Sequence, residues 1–200
     1  MNHYIHDVNA LGSIESVLHS SRGLALLDAI FMPEWEFRYF SFNSKWNIEK
    51  REMMASMRDG QGNEYFLIFT LTGVVGKFLY EKNAEKPLEL LSQIPNEFSS
   101  FKSEPAFDIQ NTSFFIWRKN NEKNWCLAHD LPNNRLPMLA FLETDLGHYI
   151  EWAERYYDVE IETEVAQKVF SSLRVTQDDL SSLNPELTLD DLLGDIREIL

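Results

Sequence analysis

A chain of 200 residues with 44% hydrophobic, 13% aromatic and 25% charged side chains can form one domain that buries roughly 70% of the surface its unfolded form exposes. Its composition excludes the disordered, collagen-like and disulfide-scaffold classes. The net charge of −14 is uneven: residues 143–200 carry 15 acidic and 4 basic side chains, a net of −11, against −3 for residues 1–142. Such a field repels phosphate backbones and anionic headgroups, which argues against nucleic acid or a membrane surface as a direct partner, and it speeds encounter with basic surfaces.

The first residues, MNHYIHDVNALGS, offer neither a basic nor an apolar leader region, so no secretory signal is expected. The longest apolar stretch, Tyr65 to Tyr80, is broken by Thr70, Thr72, two glycines and Lys77, short of the ~18 apolar residues that a spanning helix requires. Cys126 is the only cysteine, which rules out an internal disulfide and a multi-thiolate metal site. The expectation is a cytoplasmic protein with no cofactor.

In chain order, Ser13 to His19 and Leu24 to Phe31 have helical spacing, the second run stopping before Pro33. The period then changes to two. Trp35 to Phe42 reads as a strand, with Trp35, Phe37 and Tyr39 on one face and Glu36, Arg38, Phe40 and Phe42 on the other. Phe37 and one of Phe40 or Phe42 are expected in the core on opposite faces, while Trp46, beyond Asn43-Ser44, is expected to be exposed. Met53 to Met57 and Glu64 to Phe69 form a hairpin across Arg58-Asp59-Gly60-Gln61-Gly62-Asn63, and Gly73 to Tyr80 adds a third strand to a meander.

Pro87 opens a helix through Leu88, Leu91 and Ile94, and Pro95 ends it or begins a second turn with Phe98 and Phe101. Ser113 to Trp117 and Asn124 to Ala128 make another hairpin, Asp130 to Pro137 a loop, and Met138 to Leu142 a short buried strand. A helix from Thr144 or Asp145 places Leu146, Tyr149, Ile150, Ala153 and Tyr157 on one face. A second follows Thr163, and two more begin at Thr176 and Thr188 with box-like starts in which Asp stands third. The fold class is therefore α+β: a single domain over residues 1–200, with an antiparallel sheet of five or six strands, flanking helices and a helical acidic C-terminal segment at 143–200 that is not an independent domain.

No residue set announces a chemistry. Cys126 and His129 offer a thiol and an imidazole but no second ligand pair, and His148 with Glu151 reads first as a solvated helix face. The glycines at 60 and 62 precede a strand and lack the P-loop lysine, so they belong to a turn. No catalytic residue and no metal ligand is assigned. Asp178, Asp179, Asp190, Asp191, Asp195 and Glu198 form a face that is either solvated or complementary to a basic partner, and the stripe Leu189, Leu192, Leu193, Ile196, Leu200 fits docking on the domain or on a partner.

The runs Pro33 to Trp46, Glu52 to Gly60, Glu104 to Phe107 and Phe115 to Arg118 together resemble a group of uncharacterised cytoplasmic bacterial proteins, over most of residues 24 to 157. The resemblance extends to small acidic immunity-type proteins, which neutralise a toxin by binding it, and implies a protein partner and no chemistry. The leading expectation is a non-enzymatic interaction module that binds a basic protein, with Arg38, Trp46, Arg58, Trp117, Asp178, Asp179, Asp190 and Asp191 as its partner-binding residues. The alternative is a small-molecule-binding or hydrolytic domain, in which Trp35, Trp46 and Trp117 converge on an aromatic-lined pocket and Arg38 or Arg58 grips an anion.

Overall fold

The computed structural model describes residues 4–131 and 135–200. The centre of the expected loop from Asp130 to Pro137 therefore lies outside the described residues. Ser13 caps the first helix, α1 (Ile14–Phe31), by accepting the Ser16 N–H at 3.1 Å. The two expected helices are one. Gly23 lies within α1, where the Phe170 ring packs so close that a Cβ at position 23 would stand 2.4 Å from it. Every residue from Gly23 to Phe31 is buried, as expected for a helix that is covered on all sides.

Six strands follow as an antiparallel meander in sequence order: β2 (Phe40–Asn47), β3 (Glu52–Arg58), β4 (Glu64–Phe69), β5 (Gly73–Leu79), β6 (Phe114–Lys119) and β7 (Cys126–His129). The turn between β3 and β4 uses Gly60 and Gly62 at positive φ, where a side chain would be strained. A two-stranded sheet pairs β1 (Tyr4–Ile5) with β8 (Leu136–Pro137). Alternation along the strands builds a core on each face. Phe40, Phe42, Met57, Tyr65, Phe78 and Phe114 face α1. Ile68, Val75, Phe115 and Trp117 face the β5–β6 connection, which carries α2 (Pro87–Ser92) and α3 (Ser99–Lys102) and contributes Phe98, Phe101 and Phe107 to that second core. The fold is α+β, as the sequence implies.

Behind α1 lie α4 (Gly147–Tyr157), α5 (Thr163–Ser172), α6 (Gln177–Leu183) and α7 (Leu189–Ile199). Helices α5, α6 and α7 all touch α1, and α7 also reaches β2. Within the leucine stripe, Leu192 is buried and Leu189 and Ile196 pack on the core, while Leu193 and Leu200 stay exposed. The acidic segment thus docks on the domain.

Two expected strands differ from the structure. Met138 to Leu142 is buried, but as a 3-10 helix, Leu139–Leu142, entered through Met138 at a φ of 67°. Trp35–Phe37 is also a 3-10 helix, leaving Trp35 53% and Phe37 58% exposed. The strand begins only at Phe40, and Phe40 and Phe42 share the α1 face. The cause is side-chain capture of backbone. Arg38 donates to the carbonyls of Met32 and Pro33, both at 2.7 Å, which curls residues 32–38, and α1 holds the next two amides through Asp28.

Candidate partner-binding surface

The exposed carboxylates of the C-terminal helices sort by helix position. In α6, Thr176 accepts the Asp179 N–H, while the Asp179 carboxylate accepts the Thr176 N–H at 3.0 Å. Asp191 and Thr188 repeat the arrangement at α7. These reciprocal bonds satisfy N-terminal donors that a helix cannot pair internally. Asp179 is buried and takes a further bond from Lys168 at 2.7 Å. Its burial pushes the carboxyl pKa up, but the bonds from Lys168 and Thr176 outweigh that and hold it below the ordinary value. Thr188 lowers that of Asp191. Asp179 and Asp191 are thus committed to the fold, whereas their neighbours Asp178 and Asp190 are exposed. Glu160, Glu162, Glu164, Glu186 and Glu198 are exposed as well. This is the protein's main electrostatic feature.

Arg38 is buried, and its guanidinium forks onto both carboxylate oxygens of Asp195 in α7. Together with its two carbonyl bonds, this uses four of the five donors of the planar guanidinium. Arg38 is therefore a clamp holding α7 against the start of the sheet, and it is not open to a partner or an anion. Arg58 is exposed and lies over the Trp35 ring at 5.0 Å, a cation–π contact. Trp46 is half-buried and stacks on Phe107, ring centres 5.9 Å apart, and Trp117 is buried in the second core. Trp117 is thereby enclosed in the core, and Trp46 keeps only part of its ring at the surface. Exposed aromatic surface lies instead at Trp35, Phe37 and Tyr156.

Asp28 escaped the sequence reading, although one carboxylate amid the apolar run from Leu24 to Phe31 is the signal that marks it. Its side chain is wholly buried. Oδ2 accepts the N–H groups of Tyr39 at 2.9 Å and Phe40 at 2.7 Å and the hydroxyl of Tyr157 at 2.9 Å, and Oδ1 accepts the hydroxyl of Tyr149 at 2.7 Å. Burial pushes its pKa up to about 6 against the pull of these bonds, and burial beside Asp28 likewise raises Tyr149 and Tyr157. One carboxylate thereby joins α1, the start of β2 and α4. Tyr39, Phe40, Phe141, Tyr149, Trp152, Tyr156 and Tyr157 pack around it in mutual ring contact, a filled aromatic cluster rather than a binding cavity.

Among the described residues, one buried polar side-chain atom, Arg22 Nε, lacks a hydrogen-bond partner. Cys126 and His129 stand three apart on β7, an odd spacing that sends them to opposite faces, and burial raises the Cys126 thiol pKa, away from a reactive thiolate. Buried Lys77 reaches Glu64 and the carbonyl of Asn111, each at 2.8 Å. A shallow, open depression of about 320 Å³ lies among Leu88, Leu91, Lys102, Pro105 and Ile109, and none of Trp35, Trp46 and Trp117 lines it. Among the described residues no group of three or more His, Cys, Asp or Glu side chains is placed to hold a metal ion, and no described helix is long and apolar enough to cross a membrane. Compared with protein-family models, curated proteins and solved structures, the chain finds no match.

Proposed function

We propose that the protein is a non-enzymatic, cytoplasmic interaction module that binds a basic protein through its acidic C-terminal helices. The observation that supports this reading is the separation of the carboxylates into two kinds. Asp179, Asp191 and Asp195 are spent on caps and on the Arg38 clamp, while Asp178, Asp190, Glu186 and Glu198, on the same helices or the link between them, stand exposed and form no side-chain bond with the described residues. A fold needs only the first kind. Exposed charge of one sign accelerates encounter with the opposite sign and excludes like-charged surfaces. An immunity-type role, neutralising a basic toxin by binding it, is the particular form that the sequence resemblance suggests.

The aromatic-pocket alternative required Trp35, Trp46 and Trp117 to converge on a cavity around an arginine; Arg58 is exposed beside Trp35, but Trp117 is buried in the second core and Trp46 stacks on Phe107, which does not favour it. Affinity capture from the source cell, followed by binding of the purified pair, tests the proposal. The expected partner is basic, and its association rate falls by about tenfold or more as ionic strength rises through the physiological range. A partner with a neutral or acidic surface, or a rate indifferent to salt, contradicts it.

A further inference from the structure

The exposed carboxylates supply attraction, whereas protein interfaces draw most of their affinity from a few buried aromatic and arginine side chains. Three exposed aromatic side chains, Trp35, Phe37 and Tyr156, are tied to one residue, Tyr39, by sequence or contact. The Tyr39 carbonyl accepts the Arg58 N–H at 2.9 Å, and Arg58 lies over Trp35. The Tyr39 ring is 5.6 Å from that of Tyr156, and Phe37 precedes Tyr39 by two residues. Trp35, Phe37 and Tyr156 are 53%, 58% and 46% exposed. The rim is mainly acidic: Glu34 and Glu36 flank Trp35 and Asp158 follows Tyr156, all three exposed, against the one basic side chain of Arg58. The Arg38–Asp195 clamp joins this patch directly to α7.

We propose that Trp35, Phe37 and Tyr156 are the anchor of the partner interface, an aromatic centre within an acidic rim that takes an arginine- or lysine-bearing protein surface. This rests on the interaction reading above and specifies where the contact energy resides. Charge selects the occupant. A second copy would bring a chain of net charge −14 and the same acidic rim against its like, and a lipid or nucleic-acid surface would bring phosphate. A basic side chain fits the carboxylates of the rim and the free aromatic faces, which attract cations, while the chain's own Arg58 already covers one face of Trp35.

The test is a random-peptide display library panned on the full chain at low salt, about 50 mM, with enriched peptides then titrated against Trp35→Ala/Phe37→Ala and against Asp178→Asn/Asp190→Asn. Both aromatic positions are exposed, so the first variant should fold, which far-UV circular dichroism and a cooperative urea transition verify. Phe37→Ser alone is the second variant should the pair not fold. The expected result is peptides rich in Arg or Lys with interspersed apolar residues, bound at least about tenfold more weakly by the aromatic variant. Basic peptides bound equally well by the aromatic variant but weakly by the aspartate variant overturn the anchor and leave the acid–base reading standing. Failure to enrich basic sequences overturns both. Self-association of the wild-type chain that the aromatic substitutions abolish assigns the patch to a second copy and overturns the proposal.

Discussion

Replacing Asp28 with Asn separates the shape of the buried site from its charge. With the amide oxygen at the Oδ2 position, the bonds from Tyr39, Phe40 and Tyr157 survive, and the amide nitrogen faces the Tyr149 hydroxyl, which can rotate to accept. The static cost is therefore small, about 1–2 kcal/mol. Asp28→Ala instead takes the acceptor from four donors, of which only the Tyr39 N–H has another within reach, the Tyr157 hydroxyl at 3.5 Å; at about 1–3 kcal/mol for each buried orphan it should cost about 4 kcal/mol or more, a large part of a typical stability. The charge shows in the pH dependence. The Asp28 pKa is raised from 3.8 to about 6 in the folded chain, so between those values the native state binds the proton that the unfolded state releases. Its stabilising contribution is complete below about pH 4 and is lost as pH rises through about 6, amounting to about 2–3 kcal/mol. Asn does not titrate. Urea unfolding of both proteins from pH 4 to 7.5 should show the wild-type advantage shrinking by that amount. An advantage that is flat or grows with pH would mean that the hydrogen bonds outweigh desolvation and would refute the reasoning.

Gly23→Ala improves intrinsic helix propensity by about 1 kcal/mol, yet it should destabilise by about 1–3 kcal/mol, because its Cβ strikes the buried Phe170 ring. Adding Phe170→Leu should relieve part of that loss, as thermal or urea unfolding would show. Asp195→Ala leaves the Arg38 guanidinium buried with two carbonyl partners, so it should cost about 2–4 kcal/mol and speed hydrogen exchange in α7 before that in the sheet. Asp179→Ala removes a cap and a Lys168 bond and should cost about 1–2 kcal/mol, against less than about 0.5 kcal/mol for Asp178→Ala. Since Asp179 titrates below its ordinary value, its contribution is present above the unfolded pKa and is lost as pH falls through the folded one, opposite in sign to that of Asp28.

The meander was legible because each strand is bounded by turn residues and its alternation survives in the structure. The capping boxes were legible because three-residue spacing alone defines them. What the sequence hid depends on contacts between distant segments. Gly23 looks like a break unless Phe170, almost 150 residues later, is known to need the space. Trp35 to Tyr39 alternates like a strand, but Arg38 and Asp28 take its backbone and turn Trp35 and Phe37 outward. Of the eight residues expected to bind a partner, position in the fold ties Arg38, Trp117, Asp179 and Asp191 to the structure itself and half-buries Trp46. Arg58, Asp178 and Asp190 remain at the surface. Phe37, expected inside, is among the exposed rings.

In the proposed interaction, exposed acid on the C-terminal helices attracts a basic protein. The most direct test is the association rate of the purified partner with the wild-type chain and with a variant carrying Asp178→Asn, Asp190→Asn, Glu186→Gln and Glu198→Gln, measured across ionic strength by stopped flow. The variant, whose caps and Arg38 clamp are intact, should associate about tenfold more slowly at low salt and show a shallower salt dependence, with the two rates converging at high salt. Equal rates at every ionic strength would contradict the account.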